Sequence, residues 1–309
     1  MNWDCIRKWC MNKIINIIVV ACFLLFVIFI IFVVGISSGF QPIPASSKIV
    51  TKMSKNCENK NDYDKKITFG EAIFASTTAL STKKIEWGIK RADNHKQPDL
   101  GETNQKIIEE FEGIAIGGNQ NPYIYLTFDV GYEGGYTNQI LDVLKDNDVC
   151  ATFFITGQFV KTDPDIIKRL IEEGHIVGNH TVNHKSIPEC SDEVIQKELM
   201  DLHQMIYENF DYEMKYMRPP KGEFSEKSLA LMQKLGYKAV MWSFAYDDWE
   251  NDKQGREDYG KKKILDNLHN GEIMLLHATS KDNANILDYV IKEIKKQGYE
   301  FKNLDDFKV

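Results

Sequence analysis

The sequence lacks paired cysteines and a surplus of positive charge, and each lack excludes a class of protein. Among 309 residues there are six cysteines, but Cys5, Cys10 and Cys22 lie in or before one long hydrophobic run. The odd remainder, Cys57, Cys150 and Cys190, forms no CxxC spacing, which argues against a disulfide-held fold. The net charge of −7 gives no electrostatic footprint for nucleic acid, so we expect no nucleic-acid partner.

One uncharged hydrophobic run, residues 14–34, predicts a transmembrane helix. Its 21 residues would cross a hydrocarbon core of roughly 30 Å at about 1.5 Å per residue. Basic residues from Arg7 to Lys13 precede the run, so the positive-inside rule places residues 1–13 in the cytoplasm and the rest outside. The run is longer than the hydrophobic region of a signal peptide, so we expect an uncleaved, single-pass cell-membrane anchor, with cleavage near 35–38 as the alternative.

Downstream of the anchor the composition changes twice. Residues 35–64 are polar, as is typical of a flexible stalk. Residues 65–120 show little periodicity beyond one helical pattern near 105–111 and an apparently exposed Trp87, and we expect an extension packed on the main domain. Regular patterning then runs through residues 121–309, the predicted main domain, which contains no internal repeat.

Short apolar runs alternate with amphipathic runs in the main domain, which predicts parallel strands joined by right-handed helical crossovers. The expected fold is α/β, a distorted, incomplete (β/α) barrel of about seven parallel strands; an open sheet is the alternative that spacing leaves open. Strands are predicted near 123–128, 149–155, 174–179, 213–217, 237–243, 272–277 and 299–301. Helices are predicted near 136–147, 164–173, 191–209, 225–235, 260–269 and 283–297. Cys150, inside one apolar run, is expected to be buried.

The residues that follow the strands of a parallel α/β fold converge on one edge, where chemistry is done. The polar residues at those positions are Asp129, His180, His184, Arg218, Asp247, Asp248, Trp249 and His277. They include the parts of a metal-assisted hydrolase: imidazole ligands, a carboxylate base, a cation and a second histidine.

Each of these residues also has a structural interpretation. His180 and His184 could be solvated loop residues, although the i, i+4 spacing puts both rings on one side of a helical turn, as in zinc sites. Asp129 could cap a turn and Arg218 could be a surface cation, but together the arginine would keep the carboxylate ionised. A lone His277 is more often structural, whereas a neighbouring aspartate would stabilise its imidazolium as a general acid.

In this order, the residues resemble the short motifs of the polysaccharide deacetylase (NodB-homology) family. The matching segments are 127–131, 180–184, 218–222, 248–249 after 242–243, and 275–277. Further stretches at 87–90, 131–137, 242–249 and 280–284 are similar to the delta-lactam-biosynthetic de-N-acetylases. That subfamily deacetylates N-acetylmuramic acid of peptidoglycan in spore-forming bacteria, so that the muramic delta-lactam of the spore cortex can close.

The resemblance implies a role for each matching residue. Asp129 would be the general base and His277 would protonate the leaving amine. Arg218 would orient Asp129, and Asp248 would tune His277. The two metal ligands would be His180 and His184.

The resemblance also implies how the substrate is held. Trp249 and Leu275 would form the walls of the pocket for the acetyl methyl group. A backbone N–H in the turn at Pro220 and Lys221 would help to bind the oxyanion. Lys221 replaces a common aromatic residue, so the groove would be more basic and would suit the lactyl carboxylate of muramic acid.

The implied metal set departs from the family pattern at one position. Most of the family has an aspartate directly after the base, and here Val130 cannot bind a metal. The subfamily also tends to lack this aspartate, so we expect weaker metal affinity, with water or substrate oxygens in the open positions. Two imidazoles favour zinc, and manganese or magnesium is the alternative.

We therefore expect a membrane-anchored, extracytoplasmic, metal-dependent amide hydrolase that deacetylates N-acetylmuramic acid in peptidoglycan strands, working as a monomer. Deacetylation of N-acetylglucosamine in cell-wall or chitin-like glycans is the alternative within the same class. An inactive glycan-binding module, suggested by Val130, is the alternative from another class.

Overall fold

The computed structural model describes residues 79–308. None of the helices between residues 79 and 308 combines the length and the hydrophobicity that a membrane span requires. The predicted cytoplasmic tail (1–13), anchor (14–34) and stalk (35–64) lie outside the described residues, as does the part of the predicted extension at 65–78. These segments therefore stay predictions.

The described chain alternates strands and helices. The strands are β1 (Ile85–Glu86), β2 (Tyr123–Val130), β3 (Thr152–Ile155), β4 (Ile176–Asn179), β5 (Tyr216–Met217), β6 (Glu223–Phe224), β7 (Lys238–Ala239), β8 (Glu272–His277) and β9 (Glu300–Phe301). The helices are α1 (Glu102–Glu110), α2 (Thr137–Asp146), α3 (Gly157–Thr162), α4 (Pro164–Glu172), α5 (Asp192–Phe210), α6 (Glu226–Lys234), α7 (Glu257–Asp266) and α8 (Lys281–Lys296).

A curved parallel sheet forms the core, in the order β7-β5-β4-β3-β2-β8. The short β9 pairs with the start of β2. All residues of β2 after Tyr123 are buried, as expected for a strand covered on both faces. The predicted α/β class and incomplete parallel barrel are confirmed, with six strands along the sheet and β9 as a short addition.

The gap between β7 and β8 is filled by single bridges instead of a complete strand. The segment after β7 lies beside β8, and the backbone N–H of Leu275 in β8 donates to the carbonyl of Phe244 in that segment at 2.9 Å. At the other end of the gap, Ile114 exchanges 2.7 Å hydrogen bonds with Ala239 and Met241. The last part of the N-terminal extension thus completes the wall that the short β7 leaves open.

The extension also packs through Trp87, which is only 7% exposed, so the expectation of an exposed side chain was wrong. Its indole N–H donates to the carbonyl of Trp242 at 2.8 Å. The neighbouring β1 pairs in antiparallel fashion with β6. Residues 79–120 therefore contact the barrel close to the motif loop at 218–222.

Two smaller expectations differ from the structure. Cys150 is exposed because β3 begins only at Thr152, so the cysteine lies in the turn before the strand. The helix α3 has no counterpart among the predicted elements, since its 6 residues give too short a pattern to detect.

One close approach of two backbones supplies a stability test. Gly271 has φ +70°, and a Cβ placed there would lie 2.4 Å from backbone atoms of Gly117. Gly298 also has a positive φ, but the space around it is open. We expect Gly271→Ala to lower the free energy of unfolding by about 3 to 5 kcal/mol, and Gly298→Ala by about 1 to 2 kcal/mol. Urea denaturation measures both, and equal losses would contradict the steric explanation.

Candidate active site

The carboxyl ends of the strands open into a cavity of about 1130 Å³, large enough for more than one sugar ring. The predicted residues in its wall are Asp129, His180, His184, Lys221, Asp247, Trp249, Leu275 and His277. Arg218 and Asp248 lie buried behind the wall, and each contacts one of these residues. Pro220 is buried and is not part of the wall.

The Asp129 carboxylate, near the end of β2, is held by Arg218, which follows β5. Arg218 is fully buried, and its Nη1 donates to Asp129 Oδ1 at 2.8 Å. Its other nitrogens donate to the carbonyls of Val240 at 3.1 Å and Met241 at 3.3 Å. The guanidinium carbon lies 4.3 Å from the centroid of the Phe154 ring. All of these contacts fix one orientation of the carboxylate.

Burial alone would raise the pKa of Asp129. The positive charge of Arg218 outweighs that effect, with smaller contributions from His180 and His277, and the pKa lies below its usual range. Asp129 is therefore ionised at neutral pH and can accept a proton.

The two imidazoles of the second motif face each other. Their Nε2 atoms lie 3.1 Å apart, and His180 Nε2 lies 3.6 Å from Asp129 Oδ2. His180 Nδ1 is 2.8 Å from the carbonyl oxygen of Arg218, which only accepts, so Nδ1 carries the hydrogen and Nε2 keeps its lone pair. Burial lowers the pKa of His180 to about 4 and also lowers that of His184, so both rings are neutral at pH 7.

The backbone between the histidines is a loop, and the helical turn expected from the i, i+4 spacing is wrong. Thr181 and His184 adopt left-handed conformations, with φ of 68° and 54°. The backbone N–H of His184 donates to Thr181 Oγ1 at 2.9 Å, which fixes the loop. Two left-handed residues therefore bring the rings together.

The donor atoms fit one divalent cation with open positions. Two nitrogens bound to the same zinc at about 2.1 Å lie roughly 3.0 to 3.4 Å apart, and the observed Nε2 separation of 3.1 Å agrees. Within residues 79–308 no third His, Cys, Asp or Glu completes a ligand group. Val130 is fully buried in the hydrophobic core and supplies no ligand atom. Water or substrate oxygens would occupy the remaining positions.

A carboxylate that the sequence interpretation missed supports the histidine loop. Glu198, on α5, is 3% exposed. Its two oxygens accept from the backbone N–H of Asn183 at 2.7 Å and from the Asn183 amide at 2.8 Å. Lys185 Nζ lies 3.0 Å from the same side chain. An acidic residue on the apolar face of α5 was the available signal, since Ile195 and Leu202 lie on the same face.

On the opposite side of the cavity, His277 is bound to Asp248. His277 Nδ1 lies 2.8 Å from Asp248 Oδ1, and Asp248 Oδ2 accepts from the His277 backbone N–H at 2.7 Å and from Asn283 at 2.6 Å. Burial lowers the pKa of His277, but the charge and hydrogen bond of Asp248 outweigh it, so the pKa is raised. Asp129 and His277 are also register partners on β2 and β8, so a potential base and acid face the same space.

The remaining predicted residues differ in their surroundings. Trp249 is 53% exposed and packs edge-on against His277, with ring centroids 5.6 Å apart. Lys221 has φ 60° in the turn beside the cavity. Asp247, by contrast, accepts from Arg256 at 2.9 Å and from Tyr259 at 2.8 Å, and its pKa is lowered to about 2. Its carboxylate is thus engaged within the protein.

Comparisons with known proteins agree on one family. A family model described as polysaccharide deacetylase matches residues 117–240. An uncharacterized 30.6 kDa protein of Geobacillus stearothermophilus is 44% identical over 241 residues, which cover 78% of this chain and 91% of the relative. A peptidoglycan-N-acetylglucosamine deacetylase of Bacillus cereus is 34% identical over 193 residues, 61% of this chain and 89% of the relative.

Another relative is known both as a sequence and as a structure. The peptidoglycan-N-acetylmuramic acid deacetylase PdaA of Bacillus subtilis is 43% identical over 233 residues, which cover 75% of this chain and 89% of that protein. Its solved structure, described as a family 4 carbohydrate esterase, superimposes with a TM-score of 0.72, and the match covers 74% of this chain and 98% of the chain in that structure.

The role of Glu198 can be tested through metal binding. Glu198→Ala removes the acceptors that hold Asn183, so we expect the affinity for Zn²⁺ to fall about 10- to 100-fold, the range for residues that orient metal ligands. Titration calorimetry measures the affinity. Lys197→Ala is the matched control, because Lys197 pairs with Asp201 at the exposed surface of the same helix. Equal affinities in Glu198→Ala and in the control would contradict the supporting role.

Proposed function

Because the chain belongs to the polysaccharide deacetylase family, we propose that it hydrolyses the N-acetyl group of N-acetylmuramic acid in peptidoglycan. The observation that carries the proposal is the pairing of Asp129 and His277 across β2 and β8, beside two neutral imidazoles in one cavity. An ionised carboxylate and a histidine of raised pKa are the base and acid that amide hydrolysis needs.

The preference for muramic acid is supported by the relatives. PdaA, whose name specifies N-acetylmuramic acid, is 43% identical, whereas the N-acetylglucosamine deacetylase of Bacillus cereus is 34% identical. The similarity to PdaA also covers more of this chain. N-acetylglucosamine is the second candidate substrate, and the closing experiment separates the two.

In the proposed reaction, Asp129 accepts a proton from the attacking water, whose oxygen forms a bond to the acetyl carbon. Arg218 keeps the carboxylate ionised and aimed at the cavity. The backbone of the Lys221 turn helps to bind the oxyanion. His277 then donates its proton to the departing nitrogen as the C–N bond breaks, and the products are acetate and the free amine.

His180 and His184 would hold a divalent cation, with zinc favoured by the two imidazole donors. Such a cation would polarise the amide carbonyl and would favour ionisation of a nearby water. The exposed face of Trp249, next to His277, and the apolar Leu275 would contain the acetyl methyl group.

The cellular setting is proposed from the sequence. The hydrophobic run at 14–34 would anchor the enzyme in the cell membrane, with residues 35–64 as a stalk and the catalytic domain outside. The deacetylated muramic acid would then be used to form the muramic delta-lactam of the spore cortex. The enzyme would act on glycan strands as a monomer.

The proposal is tested with the full chain in detergent and peptide-stripped peptidoglycan. We expect acetate release with added Zn²⁺, a chelator to abolish it, and mass spectrometry to show muramic acid lacking its acetyl group. Asp129→Asn should lower the rate by about 10²- to 10⁴-fold, since the general base is lost. Free glucosamine residues as the product would instead establish the second candidate, and release without metal would contradict the proposed cation.

The pH profile tests the acid. Because His277 acts in its protonated form, the rate should fall as pH rises through its pKa. Asp248→Asn removes the charge that raises this pKa, so the alkaline limb should move to lower pH. Rates measured between pH 5 and 10 would show the shift, and an unmoved alkaline limb would argue against His277 as the acid. Asp201→Asn, a surface substitution on α5, is the control.

A further inference from the structure

We propose that Arg91, in the N-terminal extension, binds the carboxylate of the substrate and thereby selects muramic acid over glucosamine. The inference rests on the proposed function. Arg91 lies outside residues 117–240, the part that the family model matches, yet it is part of the cavity wall. The extension would therefore supply a specificity-determining residue that the barrel itself lacks.

Within the described residues, both carboxylates in the cavity wall form ion pairs within the protein, whereas the arginine and lysine side chains in the wall do not. Of its two carboxylates, Asp129 is bound by Arg218 and Asp247 by Arg256. The cations in the wall are Arg91, Lys161 and Lys221, and in the chain from 79 to 308 none of them forms an ion pair with a carboxylate. A chain with a net charge of −7 thus keeps unpaired positive charge in its cavity, which favours an anionic ligand.

Arg91 is held in place by the segment that closes the barrel. Its Nη2 donates to the carbonyl of Ala245 at 2.6 Å. Its guanidinium carbon lies 6.0 Å from the centroid of the Phe244 ring. Phe244 is in turn bridged to β8 at Met274, next to Leu275. The side chain is exposed at the cavity, so its remaining N–H donors are free to reach a ligand.

Among the three cations, the guanidinium best suits a carboxylate. Its planar fork can donate two parallel hydrogen bonds, whereas a lysine is a point charge on a flexible stem. Lys221 lies in the turn that follows Arg218, whose carbonyl accepts from His180 Nδ1, so it is on the side of the proposed cation. Arg91 is anchored two to four residues from Asp247 and Trp249, on the side of His277.

The chemistry of the substrate matches this position. Muramic acid carries its lactyl ether on the ring carbon next to the one that bears the acetamido group. When the amide lies between Asp129 and His277, the lactyl carboxylate is therefore held close to the same rim. N-acetylglucosamine has a hydroxyl at that carbon and offers no charge to Arg91.

The test compares two forms of one glycan: peptide-free strands with the lactyl carboxylate free, and the same strands with it converted to a primary amide. For the full chain in detergent, we expect Arg91→Gln to lower kcat/KM on the acid form by about 10- to 100-fold, the range for a charge-assisted hydrogen bond. The loss should lie in KM, and the rate on the amide form should stay near that of the wild type. Arg91→Lys should recover part of the loss.

Lys238→Gln is the control, since Lys238 is an exposed cation on β7 and is not part of the cavity wall. Equal losses on the acid and amide forms in Arg91→Gln would indicate a merely structural role and overturn the proposal. The proposal would also be overturned if kcat/KM on the acid form fell in Lys161→Gln or Lys221→Gln but not in Arg91→Gln. Calorimetric binding of both forms to Asp129→Asn, with and without Arg91→Gln, gives the same comparison without turnover.

A failure of the proposed function would give a different experimental result from a failure of the Arg91 proposal. If the wild type deacetylates chitin oligosaccharides and neither form of the muramic strand, both the proposed substrate and the role of Arg91 are wrong. If it deacetylates both muramic forms at equal rates, the proposed function stands and the role of Arg91 is overturned.

Discussion

The rest of the structure depends on the buried ion pair of Asp129 and Arg218. The arginine leaves the end of β5, crosses the interior and binds the carboxylate at the end of β2. Taking both charges out of water is expensive, and such a pair persists only where the other donors are satisfied. Here the carbonyls of Val240 and Met241 accept from Arg218, so the pair also fixes the segment that follows β7.

Arg218 positions two parts of the site at once. Its side chain orients Asp129, while its backbone carbonyl accepts from His180 Nδ1 at 2.8 Å. The tautomer of His180 and the ionisation of Asp129 therefore depend on the same residue.

How much of this could be predicted from sequence depends on how local each feature is. The strands β2 and β8 are continuous apolar runs, so both the strands and the residues at their ends, Asp129 and His277, could be placed. The loop between the histidines could not, because its shape depends on left-handed residues and on Glu198. Arg91 was missed because its anchor, Ala245, lies 154 residues away. The residue roles and the membrane anchor stay predictions.

The fixed conformation of the loop between His180 and His184 affects how tightly a cation would bind without a ligand at position 130. With Val130 in the core, two imidazoles alone would hold a cation less tightly than three ligands. Preorganisation reduces that difference, because ligands already in position lose little conformational entropy on binding. The left-handed backbone at Thr181 and His184, held through Asn183 by buried Glu198, provides such preorganisation. The positions left open would then be free for oxygens of the substrate, so the expected weaker metal affinity and an accessible amide would follow from the same arrangement.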